Sequence, residues 1–357
     1  MHMAIDNFPG DSRRTYAVES TSHRHNHLNS ADAASFLSQF ASASRSGDCA
    51  RCLESTSRLS AILMDNRNRS RLAGAGAACV LATAFRSFAG GGSNTEPVLK
   101  AILAAMVLFF PIDDEEVFLD IGSPESLDSI VSILKYGDSL GKLNALLLLK
   151  EIVCFDRELA RAAARIDGLI EALMSVIRAP ISPRDSKTSL LATFHLVVSA
   201  DEWVAKSFVK MGLVDLIIEF IVDSKSERKM SEAALAAFDR LCGFAEGREK
   251  AYENALTVPV LVVRMFGISD LATEFAVSSL WKLCTNWKGG EENGEMVGCV
   301  IEALQDGVFL KLLMLLQVEC SKVARESATK LLKFLKNYGT GLECIDTMDF
   351  RGLRRPF

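Results

Sequence analysis

The chain has 357 residues, 49% of them hydrophobic, which is enough for a continuous core and too many for a disordered polymer. Forty Lys and Arg against forty-five Asp and Glu leave a formal net charge of −5, which argues against a sequence-independent grip on nucleic acid. The longest apolar run, Val98 to Phe110, is broken by Lys100 and stopped by Pro111, well short of a membrane span, and reads as a buried helix.

Residues 1–30 are polar, contain Pro9-Gly10 and lack apolar periodicity, so the sequence predicts a disordered N-terminal tail. His23, His25 and His27 alternate there, but a flexible tail offers no outer shell to orient metal ligands, and no metal or cofactor is expected. No signal-peptide core is present either. Good capping residues at Asn29-Ser30-Ala31-Asp32 then open a first pair of helices over residues 33–63. Within it Cys49 and Cys52 have the spacing of half a zinc or redox site with no second half, and they fall where a helix begins. The nine cysteines are scattered in apolar surroundings, a usage that suits reduced core thiols and places the chain in the cytosol or nucleus.

Gly90-Gly91-Gly92-Ser93 closes the next helix, and Glu96-Pro97 opens the long apolar one, with proline suited to a first turn. The acids Asp113 to Glu116 follow Pro111 as favourable charges at a helix N-terminus. The stretch from Leu127 to Ile152 then reads as a helical hairpin, with a break at Gly137-Asp138 and a longer second helix from about Leu140. So apolar a hairpin cannot bury both faces alone and calls for similar hairpins on either side.

Ala145, Leu149 and Ile152 span two turns and share one helical stripe. The same small-apolar-apolar pattern recurs as Ser55/Leu59/Ile62, Ala101/Ala105/Leu108, Ser189/Thr193/Leu196, Ala234/Phe238/Leu241, Ala276/Leu280/Leu283 and Ser327/Leu331/Phe334, at steps of 42 to 51 residues. That period fits armadillo and HEAT repeats. The small residue has a packing reason, since helices approach closely only where no bulky side chain separates their backbones. The sequence therefore predicts an all-α fold, an armadillo-repeat α-solenoid forming a right-handed superhelix of about seven repeats over residues 31–340, with a C-terminal tail at 341–357. Gly168, Gly212 and Gly307 mark the turn before the middle helix in three repeats, and Thr257-Val258-Pro259 takes that place in a fourth. Two irregularities stand out: Pro180 to Arg184 lengthens one loop, and Lys288 to Glu295 inserts a polar, glycine-rich stretch near Trp287. Insertions in a solenoid map to loops, where partners are met.

No catalytic constellation emerges. His195 is the only histidine outside the tail, and neither GxGxxG nor GxxxxGK[ST] occurs. A solenoid offers a groove instead, lined by the third helix of each repeat one position before the last ruler residue, about 100° off the buried stripe. That column reads Ala61, Val107, Glu151, His195, Arg240, Lys282, Lys333. Glu151, His195, Arg240, Lys282 and Lys333 are thus the candidate groove residues, and the three cations in succession favour an acidic or phosphorylated peptide. Nuclear-import carriers, which resemble this architecture, have Asn on that column and Trp one turn earlier. Here neither appears and Trp281 is out of register, which speaks against import of basic signals.

From about Ala34 onward the chain resembles the armadillo-repeat region of plant U-box E3 ubiquitin ligases, especially the group associated with immune signalling. The resemblance is carried by NRNRSRLAGAGAACVLATAF (Asn66 to Phe85), IVSILKYGDSLGKLNALLLLKEI (Ile130 to Ile152), LIEALMSVIR (Leu169 to Arg178) and the closing CIDTMDFRGLRRPF (Cys344 to Phe357). In that family the repeats hold a protein substrate, while an N-terminal U-box recruits the charged ubiquitin-conjugating enzyme. The family's Cys-Pro-Ile and Thr-Tyr-Asp-Arg type U-box segments are absent from residues 1–33, so no catalytic residue is carried over, and a conjugating enzyme is a partner only through a U-box upstream. Two expectations remain open: the recognition arm of a ubiquitin ligase, or a non-enzymatic armadillo adaptor that binds the same targets without ubiquitin transfer. Neither involves nucleic acid or a membrane.

Overall fold

The computed structural model describes residues 29–92, 94–180, 182–222, 228–287 and 298–338, and every regular element among them is helical. The chain opens with a pair, α1 (Ser30–Arg45) and α2 (Cys49–Leu63). Six three-helix units follow. They are α3 (Asn66–Gly74), α4 (Ala77–Phe88) and α5 (Glu96–Met106); α6 (Glu115–Ile121), α7 (Pro124–Tyr136) and α8 (Ser139–Phe155); and α9 (Arg157–Ala164), α10 (Leu169–Arg178) and α11 (Pro183–Ser199). The C-terminal half adds α12 (Glu202–Lys210), α13 (Leu213–Val222) and α14 (Arg228–Leu241); α15 (Ala245–Glu253), α16 (Thr257–Arg264) and α17 (Asp270–Asn286); and α18 (Cys299–Gln305), α19 (Val308–Gln317) and α20 (Lys322–Lys336). The seven third helices, α2, α5, α8, α11, α14, α17 and α20, pack each on the next, which is the stacking of an armadillo solenoid.

Local chemistry sets the joints. Asn29 accepts from the Asp32 amide at 2.8 Å, Asp138 from the Gly141 amide at 2.7 Å, and Asp114 from the Glu116 amide at 3.0 Å, so the expected caps and acidic helix starts are in place. Pro97, Pro124 and Pro183 occupy first-turn positions of α5, α7 and α11, and Pro259 falls in the first turn of α16, where a missing N–H costs no helical bond. Gly168, Gly212 and Gly307 turn into their second helices at φ of 79°, 82° and 77°, a left-handed conformation that a Cβ would strain. Gly76 does the same before α4 at φ 81°.

The small-residue stripe is buried most deeply in the middle of the stack. Ala145, Ser189, Ala234 and Ala276 are fully buried, whereas Ser55, Ala101 and Ser327 are half-buried. The central ruler residues Leu59, Ala105, Leu149, Thr193, Phe238, Leu280 and Leu331 are buried in all seven third helices. The end helices α2 and α20 lack one neighbour, so Ser55 and Ser327 meet solvent on one side while their central residues still pack inside their own units; Ala101 is half-buried although α5 packs on both α2 and α8.

The structure refines one expectation and leaves others outside the described residues. The Pro180–Arg184 loop is shorter than the sequence suggests, because Pro183 and Arg184 already belong to α11. Ser182 accepts from the Asp185 amide at 3.3 Å while Asp185 accepts from the Ser182 amide at 3.0 Å, a reciprocal cap that starts the helix early. Residues 1–28 of the N-terminal tail, with its histidines, the Lys288–Glu295 insertion and the 341–357 tail lie outside the described residues, while Asn29 caps α1 and Ser30 already belongs to it.

Basic side chains near repeat boundaries are largely committed to helix-end carbonyls. Arg264 donates through Nε to the Ile221 carbonyl at 3.1 Å, Lys311 to the Val262 carbonyl at 2.8 Å, and Arg157 to the Ser199 carbonyl at 3.1 Å. Arg178 reaches the Met211 carbonyl in the same way. The Arg264, Lys311 and Arg178 bonds cross between units, the Arg157 bond joins the first and third helices of one unit, and each satisfies an acceptor that the helix leaves open. This separates structural cations from those still available to a ligand.

Candidate partner groove

The predicted column lies on the third helices as the periodicity requires, but its members differ in exposure and pairing. Ala61 and Lys333 are exposed, while Val107, Glu151, His195, Arg240 and Lys282 are half-buried. Val107 sits in a short 3-10 turn, Val107–Phe109, that follows α5, so the helical spacing ends just before it. The five inner members are less open than a lone helix would make them because each inner third helix is flanked by two others, whereas Ala61 and Lys333 stand on the two end helices, which have one such neighbour each.

Charges in the column are partly cancelled from within. Glu151 is paired with Lys150, its chain neighbour. Lys282 forms an ion pair with the Asp239 carboxylate at 2.7 Å and donates to the Asp239 carbonyl at 2.8 Å, tying α17 to α14. Ser279 donates to the same carboxylate at 3.5 Å. Arg240 lies with its guanidinium 5.0 Å from the centre of the Phe244 ring, and its buried Nε has no hydrogen-bond partner. Among the described residues neither Arg240 nor Lys333 takes part in an ion pair.

His195 lies between these halves, and burial, followed by the repulsion of Lys150, lowers its pKa below the ordinary 6.5. Its imidazole is therefore neutral at pH 7 and offers one donor and one acceptor. Trp281 does not stand in the column; it packs edge-on against Phe334 of the next third helix, with centroids 5.9 Å apart.

A feature that column reading missed is the last third helix taken whole. α20 carries Lys322, Arg325, Lys330, Lys333 and Lys336, all exposed, against the single acid Glu326, while Ala324, Ala328, Leu331 and Leu335 are buried. Its charge could have been read from KVARESATKLLKFLK, since the four buried residues define one stripe and leave every cation off it. Arg240, Lys333 and this helix together give the C-terminal third of the stack a cationic surface.

Three of the described thiols are poor nucleophiles at neutral pH. Burial pushes the Cys52 and Cys79 thiols up to about 11 and drives Cys242 higher still, so these groups are protonated at neutral pH. Among the described residues no group of three His, Cys, Asp or Glu side chains is arranged to hold a metal ion, and no helix is long and apolar enough to cross a membrane.

Seven stacked third helices, each preceded by a helix that packs against it, define an armadillo-repeat protein. The designed armadillo repeat protein YIII(Dq)4CqI superposes with a TM-score of 0.52 at 15% identity, over 70% of this chain and 98% of that one, which supports the fold. The chain belongs to the plant U-box protein ARM repeat family, whose model matches residues 33–353. U-box domain-containing protein 21 of Arabidopsis thaliana is 32% identical over 324 residues, covering 89% of this chain and 71% of the relative. E3 ubiquitin-protein ligase PUB23 of the same plant is 27% identical over 305 residues, covering 82% of this chain and 68% of the relative.

Proposed function

We propose that this chain is the substrate-recognition arm of a U-box type E3 ubiquitin-protein ligase, and that it holds an acidic or phosphorylated segment of its substrate against α14, α17 and α20. The observation that carries this reading is the set of uncompensated cations: Arg240 and Lys333 without ion pairs, and beside Lys333 four further exposed cations and one acid on α20. Family membership supports the ubiquitin context, and a relative carries the name of an E3 ligase. Arginine and lysine displayed on rigid helices suit carboxylate and phosphate groups, because the cations are positioned before the ligand arrives. The free thiols among the described residues fit a reducing compartment, the cytosol or nucleus.

A peptide array of Asp/Glu-rich and phosphoserine 12-mers, probed with the purified chain, tests the reading. Binding that weakens with salt and is lost in Arg240→Glu/Lys333→Glu supports it. Equal binding by the double variant refutes the groove assignment. Reconstitution with E1, a conjugating enzyme, ubiquitin and a captured partner then separates the two classes: partner ubiquitination dependent on this chain supports the ligase arm, and protection of the partner supports an adaptor.

A further inference from the structure

Between α7–α8 and α10–α11 the third-helix ridge opens into a cleft of about 370 Å³, at the small end of ligand-sized cavities. It lies at the opposite end of the third helices from the cationic column: Leu143 in its wall precedes Glu151 by eight residues, roughly 12 Å along the helix axis. Its apolar lining includes Leu143, Leu146, Ala172 and Val176. The cleft also contains Asp185, the residue that closes the reciprocal cap at the start of α11.

Asp185 is 6% exposed. One carboxylate oxygen is used by the cap, accepting from the Ser182 amide at 3.0 Å, while the other, Oδ1, is buried and has no hydrogen-bond partner. A buried acceptor without a donor is costly, and native proteins leave few of them unless something else supplies the bond. Two lysines line the same cleft, yet neither donates to this oxygen. The Lys135 ammonium stands 5.4 Å from the centre of the Tyr136 ring and against Gly168, where an added Cβ would come within 2.5 Å of it. The exposed carboxylate of Glu171 lines the cleft as well.

We propose that this cleft seats one long basic side chain of a bound protein, its aliphatic stem on Leu143, Leu146 and Val176 and its cationic head donating to Asp185 Oδ1. An ionised donor is favoured over a neutral one because a hydrogen bond between two charged groups is about twice as strong as a neutral pair. A stem of three or four methylenes suits the apolar wall, which a short polar side chain would leave uncovered. The site is independent of the cationic surface on α14 and α20, and either can be right without the other.

The test is a methyl-NMR titration of the full chain, labelled at Leu, Val and Ala, with N-acetyl-arginine methylamide and with its citrulline counterpart, which keeps the shape and loses the charge. The expected result is a saturable shift of the Leu143, Leu146 and Val176 methyls with the arginine compound, and binding roughly tenfold or more weaker with citrulline and in Asp185→Asn. The Asn variant retains a side-chain oxygen for the cap. If it fails to fold, Ser175→Trp decides, since that exposed position lines the cleft and the indole would fill it. The absence of saturable shifts in the wild-type chain overturns the proposal. So does equal binding of citrulline, or undiminished arginine binding in whichever variant is the folded arbiter.

Discussion

Replacing Ala145 by Trp probes the stacking of repeats at its tightest point. Ala145 is fully buried on α8, which packs on α5 and α11, so no side of the position opens to solvent. An indole there forces neighbouring side chains off their rotamers or the helices apart, at about 1–3 kcal/mol or more. If the roughly 300 solenoid residues unfold together, an unfolding entropy of about 2.1 cal/mol/K per residue converts that cost into a fall of roughly 2–5 °C in the midpoint. If the stack unfolds in sections, the section around α8 falls further, because fewer residues share the entropy. The assay is thermal unfolding followed by circular dichroism at 222 nm and by calorimetry, with Ala61→Trp as control, an exposed position on another third helix. A midpoint unchanged in Ala145→Trp, or lowered equally in Ala61→Trp, would refute the stacking argument.

Three further expectations concern polar groups inside the stack. Lys282→Met should destabilise by about 1–2 kcal/mol in urea unfolding, since the partly exposed lysine bonds both the carboxylate and the carbonyl of Asp239, and solvent screening limits the ion-pair share. Thr193→Val should stabilise by about 1 kcal/mol, because the Thr193 hydroxyl is fully buried with no partner; a loss of stability on this substitution would mean that the hydroxyl is bonded. His195 binds its proton less readily folded than unfolded, so the unfolded chain takes up more protons as pH falls. Its contribution to stability is fully present above the ordinary value of 6.5 and is lost as pH falls from there toward the lowered folded pKa. Stability curves from pH 5 to 8 should accordingly be flatter in His195→Gln than in wild type, and curves that superpose would show that burial does not hold the imidazole neutral.

The third helices were legible because their determinants are local. A small residue, then apolar residues four and seven positions on, marks one stripe wherever a helix must meet another, and the sites selected this way on α8, α11, α14 and α17 are buried. The short first helices were harder to see. α6 has seven residues and buries Val117, Phe118 and Ile121, too few turns to establish a period. In the groove, spacing gave each residue's place on its helix and could not give its partner. Asp239 adjoins Arg240 in sequence yet binds Lys282, 43 residues away, because successive third helices bring those side chains side by side. Such pairing arises between repeats, as does the hydrogen bond from the Ser321 hydroxyl at the start of α20 to Glu274 on α17. The unpartnered oxygen of Asp185 was equally hidden: the sequence suggests a loop from Pro180 to Arg184, and only the structure shows the cap that ends it early and the one oxygen of Asp185 left over.

The account stands most directly on the binding of an acidic ligand by the C-terminal third helices. Fluorescence anisotropy of a labelled phosphoserine peptide selected from the array, titrated with wild-type chain and with Arg240→Glu/Lys333→Glu, measures it. The prediction is saturable binding that weakens as salt rises and is lost in the double variant while its thermal midpoint stays near that of wild type. Salt-independent binding, or equal affinity in the folded double variant, would contradict it.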